Sequence, residues 1–378
     1  MNFELDTEQD LLRKTVRDVL TAAYDVEARN RVSDTDSGWS PEVWKQLAEL
    51  GVLGLPFAEE YGGMGAGPVE VMAVMIELGR ALAPEPVLAA VYLPGGLVAE
   101  VGTEAQRADL LPRLSEGDLR LAFAHDEPGS RWPTIDVATT ATRGGESWVL
   151  SGRKNPVLHG DCAEMFVVSA KLSDGGVGLF LVDAGADGLT RTVYRTNDER
   201  RGAQLVFDGV SAQPLGEPAD ASAAVSAAVI RAQAALCAEA VGAIDASVQL
   251  TTEYLKQRKQ FGVPLSMFQA LTHRAADMYV LYELAASMSL YATMALADGI
   301  VDPVIASRAK LQVGRSARKV GQESVQMHGG IGVTAEHSIG HYLSRLTAIE
   351  HTFGTMDDHL RVLSGGLTSY DRVEIAGV

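Results

Sequence analysis

The strongest constraint on the fold is a pair of long helical runs that flank a short basic corner near residue 260. The run before the corner, residues 222–256, is rich in alanine and contains no proline and no turn cluster. After the corner, apolar residues recur at spacings of three and four, the period of an α-helix: Phe268, Leu271, Ala275 and Met278. Two long helices are therefore predicted to meet at this corner.

The corner is cationic in a chain that is otherwise acidic. Arg258 and Lys259 open it, and a short loop with Gly262 and Pro264 follows. The whole chain has 32 basic and 49 acidic residues, which gives a formal net charge of −17. A phosphate-bearing cofactor would explain two cations here, because such groups bind phosphate oxygens. The alternative is a solvated turn between two helices.

The hydrophobic pattern divides the chain into three regions. Residues 1–117 follow a helical period, and residues 220–378 return to it after a short linker. Between them, residues 118–219 contain short β-rich runs separated by Gly, Asp and Ser turns: LRLAFAH, DVATTATR, SWVLSGRK, EMFVVSAK, VGLFLVD, LTRTVY and AQLVFDGV. The sequence therefore predicts an α+β protein, with an N-terminal helical domain, a middle antiparallel β domain and a C-terminal helical domain.

Composition excludes several classes of function. The acidic balance argues against nucleic acid and anionic membrane surfaces as partners. The two cysteines, Cys162 and Cys237, lie far apart in unlike contexts, so neither a disulfide framework nor a metal cluster is expected. The N-terminus lacks the pattern of a signal peptide, and no uninterrupted apolar run reaches membrane-spanning length. We expect a cytoplasmic protein without a metal site.

Three motifs carry a resemblance to a known family. They are the corner at 258–278, R-x-Q-F-G followed by FQA and HRAADM; the stretch QMHGGIGVTAE at 326–336; and the entry WKQLAELGVLGLPFAEEYGGMG at 44–65. Together, and in this order, they resemble the acyl-CoA dehydrogenase family. The resemblance implies FAD, an acyl-CoA substrate, α,β-dehydrogenation by a carboxylate base, and an electron-transfer flavoprotein or similar acceptor. It also implies a C-terminal four-helix bundle and a tetramer.

The resemblance assigns cofactor residues one at a time. It places Arg258 and Gln260, with Phe261 beside them, at the diphosphate of a flavin held by a neighbouring subunit. The remaining positions that match the family's flavin contacts are Gln269, Gln326, Gly329, Gly330, Thr355 and Ser130. Paired glycines let a backbone approach a dinucleotide closely. Two alternatives stay open: Gln269 as a helix cap, and Gly329-Gly330 as a plain turn.

The catalytic base is where the match fails. The family's common position, directly before G-T in the C-terminal motif, is Phe353 here, and the alternative position on the long helix is Ala232. The nearest acid on that helix is Glu239, which has apolar neighbours and no evident cation one turn away. The alternative for Glu239 is a packing carboxylate paired with a distant Arg or Lys. Glu350 is a second candidate base, expected to face solvent or to pair with Arg345.

The middle region departs from the family as well. The family motif T-E-P-x-x-G-S-D is shortened here to residues 126–131. The family's usual W-I-T, which stacks on the flavin ring, reads Pro156-Val157-Leu158. His159, which follows, is expected to be a solvated loop histidine. With these departures the chain resembles a branch of the family, common in actinobacterial-type sequences, whose members work as α2β2 heterotetramers.

Three hypotheses remain: a dehydrogenase with its own acid, a catalytically impaired partner subunit that completes the flavin site in trans, and a flavin-fold relative with other chemistry. The altered motifs hint at a bulky acyl group.

Overall fold

The protein is described from a computed structural model. The structure describes residues 5–130, 132, 136–144 and 147–367. The start of the first predicted domain and the end of the last one lie outside that part of the chain. Arg131 of the motif at 126–131 lies outside it as well. The predicted boundaries at 117/118 and 219/220 stay predictions.

Between residues 5 and 118 the described chain forms six α-helices. They are α1 (Thr7–Ala23), α2 (Val26–Ser33), α3 (Pro41–Glu49), α4 (Pro68–Arg80), α5 (Leu93–Val101) and α6 (Glu104–Ser115), with a π-helical stretch Val87–Tyr92 directly before α5. Asp6 begins α1 with a capping box to Gln9, and Ser40 and Pro41 begin α3 as expected from sequence. One hydrophobic core joins these helices, with Leu20, Leu47 and Leu111 fully buried in it.

The middle region is a closed β structure. Its strands are β1 (Leu121–Ala124), β2 (Thr140–Gly144), β3 (Ser147–Leu158), β4 (Met165–Lys171), β5 (Val177–Asp183), β6 (Leu189–Arg195) and β7 (Arg201–Pro214). The pairings β4–β2–β3–β7–β5–β4 form a ring, which β1 extends at β4 and β6 extends at β7. Alternate side chains fill the interior, including Leu150, Phe166 and Leu205. The sheet is mostly antiparallel, but β1 and β2 pair with β4 in parallel, which the local pattern did not predict.

The C-terminal region is a helical bundle. It contains α7 (Ser222–Gln257), α8 (Gln269–Ala297), α9 (Pro303–His328), α10 (Ser338–His351) and α11 (Met356–Gly365), and a hairpin of β8 (Lys259–Gln260) and β9 (Val263–Pro264) joins α7 to α8. The predicted order of helical, β and helical regions is confirmed.

The N-terminal region packs on α7 at two glycines. A Cβ built on Gly79 of α4 would lie 1.9 Å from the carbonyl oxygen of Glu239, and one on Gly242 would lie 1.8 Å from that of Ile76. Real Cβ atoms never approach a backbone oxygen so closely, so the two helix backbones touch only because both residues are glycine. This contact fixes the position of α7 against the rest of the chain.

Two helices are long and apolar enough to cross a membrane by length and composition alone, namely α7 and α8. This is weak evidence, since the core helix of a globular protein passes the same test. Most of the apolar window of α7 (83%) is buried inside the protein, whereas only 28% of that of α8 is. Helix α7 is therefore the core of the bundle, and α8 leaves an apolar face uncovered. The absence of a membrane partner stays a prediction.

We predict that Gly242→Ala lowers the free energy of unfolding by about 3 kcal/mol or more, because the added methyl group must push α4 and α7 apart. The midpoint of urea unfolding measures this. Gly96→Ala is the matched control, since Gly96 lies in α5 and a Cβ added there would meet nothing within 4 Å; its effect stays within about 1 kcal/mol. Equal effects of the two substitutions would contradict the close contact.

Candidate active site

Three neighbouring cavities lie at the junctions between the three regions. The first, of about 570 Å³, has loop 126–130 and Asn155 of the β region on one side and the start of α11 on the other. The second, of about 310 Å³, shares Asp126, Pro156 and Phe353 with it and extends towards α7. The third, of about 640 Å³, shares Leu88 and Leu93 with the second and lies between the N-terminal region and α7. The cavities are therefore neighbours along the domain junction.

Ser130 and Thr355 line the first cavity from opposite sides. Ser130 closes its own loop by donating from its hydroxyl to the carbonyl of Glu127 at 2.7 Å. Thr355 begins α11: its hydroxyl accepts from the Asp358 N–H at 3.3 Å and donates to the Asp358 carboxylate at 2.7 Å. Both hydroxyls hold local structure at the edge of the cavity. Their roles in cofactor binding stay predictions.

A buried lysine fixes the loop beside this cavity. The Lys154 side chain is fully buried and its Nζ donates to the carbonyl of His125 and to the Glu127 carboxylate, both at 2.9 Å. Glu127 also accepts from the backbone N–H groups of Ala138 and Thr139. Burial raises the pKa of Glu127, but these hydrogen bonds outweigh it and lower the pKa to about 2. The loop is thus held rigidly by a charged pair.

Glu239 lies at the second cavity inside an ion network. Arg345 donates two hydrogen bonds to the Glu239 carboxylate, from Nε at 2.7 Å and from Nη2 at 2.8 Å. Arg200 adds a third at 2.8 Å, and Arg345 also donates to Asp198 at 2.7 Å. Burial raises the pKa of Glu239, but the two guanidinium groups lower it below its ordinary value. The structure matches the alternative given for Glu239, a packing carboxylate paired with distant cations, because Arg200 and Arg345 both come from distant segments.

Glu350, in contrast, differs from the sequence expectation. It is buried and does not pair with Arg345, which is engaged by Glu239. Its carboxylate accepts from the backbone N–H of Met356 at 2.9 Å and lies 3.5 Å from Arg318. Glu350 therefore joins the end of α10 to the start of α11.

Both positions from which the family draws its base lie at the cavities but carry apolar side chains. Phe353 lines the first and second cavities, and Ala232 lines the third. Phe353 adopts a left-handed backbone with φ of 54°, and its carbonyl accepts from Gln233 at 2.8 Å. No carboxylate stands at either position.

Sequence reasoning missed one acid at the second cavity. Glu85 is 2% exposed. One of its oxygens accepts from Tyr24 O–H and from the backbone N–H of Ser40, and the other has no hydrogen-bond partner among the described residues. Burial raises the pKa of Glu85 to about 7. The only sequence signal was a carboxylate between two prolines in an apolar run, at 84–86.

The other expected cofactor residues lie elsewhere, on the outer end of the bundle. Arg258 and Gln260 are exposed on the hairpin, and Phe261 at its tip is 91% exposed with φ of 53°. Gly262 follows with φ of 81°, so the turn has two left-handed residues, as a tight two-residue hairpin requires. Gln269 is the exposed first residue of α8 and makes no cap, since Phe268 stands at the cap position.

The glycine loop lies next to the hairpin. Tyr254, one turn before the hairpin, stacks on His328 with ring centres 4.5 Å apart and donates to the His328 carbonyl at 3.3 Å. Gly329 and Gly330 come directly after His328, and a Cβ at either would meet nothing within 4 Å. Gln326 is exposed on the preceding turn. These residues do not line the three cavities, so within the described chain the expected cofactor residues form an inner and an outer group.

A closed β structure between two helical regions, with cavities at the junction and a basic hairpin outside it, is the arrangement expected from the resemblance to three-domain flavoprotein dehydrogenases. The comparisons agree. Residues 6–118, 122–210 and 223–367 match the N-terminal, middle and C-terminal domains of acyl-CoA dehydrogenase. The chain belongs to the acyl-CoA dehydrogenase family.

Three solved structures show how closely the chain follows the family. A Tcur3481-Tcur3483 steroid ACAD is 32% identical, with a TM-score of 0.88 over 96% of this chain and 98% of that one. A chain of the ChsE4-ChsE5 complex from Mycobacterium tuberculosis is 25% identical, with a TM-score of 0.90 over 98% and 100%. A glutaryl-CoA dehydrogenase from Mycobacterium smegmatis in complex with FADH2 is 26% identical, with a TM-score of 0.89 over 97% and 96%.

The protein is accordingly an oxidoreductase of the acyl-CoA dehydrogenase class, and its cofactor is FAD. FAD supplies the hydride acceptor for α,β-dehydrogenation of an acyl-CoA thioester. The outer group offers features that suit a diphosphate, namely an exposed guanidinium with no ion-pair partner in the described chain and an open glycine backbone, and its role in cofactor binding stays a prediction. At the cavities, Pro156 and Leu158 stand where the family's ring-contacting Trp and Thr are expected.

We predict that Glu85→Gln makes stability less dependent on pH. Between pH 4.5 and 7 the folded carboxyl keeps a proton that the unfolded chain releases, so the wild-type protein loses stability as pH rises through this window. The melting temperature of Glu85→Gln relative to wild type should therefore rise from pH 4.5 to 7 and then level off. Glu60→Gln, at an exposed carboxylate, is the control. A parallel profile for wild type and Glu85→Gln would contradict a buried, protonated Glu85.

Proposed function

We propose that this chain is the subunit without a catalytic base in an α2β2 acyl-CoA dehydrogenase, and that it completes the flavin site of an unlike partner in trans. The observation that carries this proposal is the pair of apolar residues, Phe353 and Ala232, at the two base positions. The partner then supplies the carboxylate that removes the α proton.

Glu239 does not replace the missing base. A general base needs a free lone pair and a proton affinity near the working pH. Three N–H groups of Arg200 and Arg345 already occupy the Glu239 carboxylate, and they favour its charged form. Glu350 is also engaged, by a backbone N–H and by the nearby Arg318. The Glu239 and Glu350 carboxylates are therefore better suited to structural ion pairs than to the role of general base.

The outer group of residues supports action in trans. Arg258 has no ion-pair partner among the described residues, and Phe261 exposes nearly its whole ring to solvent. A hairpin that ends in a cation, an amide and an uncovered aromatic ring suits a neighbouring chain's cofactor. The residues assigned to the diphosphate do not reach this chain's own cavities, so a second subunit is needed to bring diphosphate and ring sites together.

The uncovered face of α8 supports an oligomer. Its exposed apolar side chains include Tyr279, Val280, Leu284 and Tyr291, and Met267 precedes them in the hairpin region. Exposed apolar patches of this kind mark protein interfaces. Since the same region carries the hairpin, one interface buries the face and presents Arg258 and Gln260 to the partner. This interface fits a homomer or a heteromer equally. The proposal selects a heteromer because the partner has to carry the carboxylate base that this chain lacks.

The third cavity supports a bulky acyl group. Its walls include many small residues, which leave room between α5 and α7: Ala66, Gly67, Gly96, Ala99, Ala228, Ala232, Ala234 and Ala235. Among the named relatives is a steroid ACAD. We propose a wide, apolar acyl thioester such as a steroid side-chain thioester as the substrate of the assembly, and an electron-transfer flavoprotein as its acceptor. A cytoplasmic location stays a prediction.

A second candidate is a dehydrogenase with its own acid, which Glu85 favours. It is the one carboxylate at the cavities, among the described residues, with both a raised pKa and an oxygen lacking a partner. If the chain is active alone, Glu85→Gln abolishes its turnover. If the proposed heteromer is correct, that substitution leaves turnover of the assembly unchanged within a few fold.

The test compares the chain purified alone with the chain co-expressed with a base-bearing acyl-CoA dehydrogenase chain. We expect the single chain to be colourless and inactive. We expect the co-expressed pair to form a yellow hetero-oligomer whose flavin absorbance bleaches on addition of an acyl-CoA. A single chain that is yellow and bleaches with acyl-CoA would overturn the proposal.

We predict that Arg258→Ala weakens FAD binding by the assembly about 10- to 100-fold, because a charge-assisted hydrogen bond to the diphosphate is lost. FAD affinity is measured by fluorescence during titration of the flavin-free assembly. Lys259→Ala removes a neighbouring exposed cation and is the matched control. Equal weakening by both substitutions would indicate only a general effect of charge.

A further inference from the structure

The loop after β3 brings together three metal-ligating side chains. A ring nitrogen of His159, a carboxylate oxygen of Asp161 and the Sγ of Cys162 all lie within 4.8 Å of one another. The expectation of a solvated His159 is wrong, because its side chain is 5% exposed. The two distant cysteines predict no metal site by themselves, but His159 and Asp161 lie within three residues of Cys162.

Two of these side chains lack the partners that burial demands, whereas the Cys162 thiol donates to the carbonyl of His159 at 3.4 Å. Among the described residues, neither ring nitrogen of His159 has a hydrogen-bond partner, and the same holds for Oδ1 of Asp161. Leaving such atoms unpaired costs about 1–3 kcal/mol each. The unpaired atoms of His159 and Asp161 can all bind a metal and lie close together. Their lack of partners indicates that a further group binds between them.

We propose that His159, Asp161 and Cys162 bind a divalent transition-metal ion, Zn²⁺ being the best match. One imidazole, one thiolate and one carboxylate form a borderline-soft set that suits zinc. Metal–ligand distances of about 2.0–2.3 Å place such ligand atoms roughly 3.3–3.8 Å apart, so closing the site needs shifts of about an ångström. The fourth position is left for water.

The backbone holds the loop ready for this role. His159 is left-handed with φ of 49°, a strained conformation for a residue with a side chain. Its N–H donates to the carbonyl of Arg201 at 3.1 Å. Arg191 donates to the carbonyls of Gly160 and Ala163 at 3.3 and 3.0 Å. The three ligand positions are thus fixed by contacts with two other strands.

The charges around the loop oppose a cation, so binding has to come from the ligand atoms themselves. Burial, and then the nearby Arg200 and Arg345, lower the pKa of His159, which shows that the two guanidinium groups make its surroundings positive. A metal here therefore needs the negative charge of the Asp161 carboxylate and the Cys162 thiolate as compensation. Leu158 and His159 both line the second cavity, so a metal bound at this loop would fix part of the wall of that cavity.

The test uses the full chain in its purified assembly, freed of metal by a chelator and then titrated with Zn²⁺ against a chromophoric chelator. We expect one zinc per copy of this chain and a higher melting temperature. Cys162→Ser and Asp161→Asn should each weaken zinc binding by about 100-fold or more, since losing even an outer partner of a ligand costs 10- to 100-fold. Cys237→Ser, at the other cysteine, is the matched control and should bind normally.

Co²⁺ binding by the wild-type protein is a second test of the metal site, and it does not depend on whether a ligand variant folds. Co²⁺ added to the metal-free wild-type protein should give a thiolate-to-cobalt charge-transfer band, which Cys237→Ser retains. Absence of this band, or zinc binding that survives Cys162→Ser and Asp161→Asn at full affinity, would overturn the proposal.

Discussion

The arrangement of the site depends on the buried network in which Arg345 and Arg200 hold Glu239 and Asp198. Two cations and two carboxylates meet there, and each carboxylate accepts at least one short hydrogen bond. Removing one partner from such a buried pair costs about 3–5 kcal/mol, since the other charge is left uncompensated. The network therefore joins α7 and α10 of the bundle to the loop between β6 and β7, and sets the wall of the second cavity.

The same network removes Glu239 from the chemistry. A carboxylate that binds two guanidinium groups gains stability from its charge and loses proton affinity. The ion pairs that stabilise the domain junction thus make Glu239 a poor base. With Phe353 and Ala232 at the family's two base positions, the proposed function follows: this chain contributes shape and contacts to a dehydrogenase site, and we propose that another chain carries out the proton transfer.

Sequence predicted what is local and missed what is distant. The helices, the β region and the exposed hairpin follow from hydrophobic period and turn residues within a few positions of each other. The partners of Glu239 lie 39 and 106 residues away, so no local pattern reveals them. His159 was expected to be solvated because burial by neighbouring strands has no sequence signal. The parallel pairing of β1 with β4 depends on closure of the sheet.

The hairpin gives an independent reason to expect a second chain. Phe261 adopts a left-handed backbone and exposes 91% of its surface, and its ring lies edge-on to that of Phe268 with ring centres 6.1 Å apart. Both features are unfavourable in an isolated monomer, because strain and uncovered aromatic surface each cost free energy. Burial of the ring against a neighbour offsets both costs. The conformation that positions Arg258 and Gln260 outside this chain's cavities is thus one that a partner would stabilise.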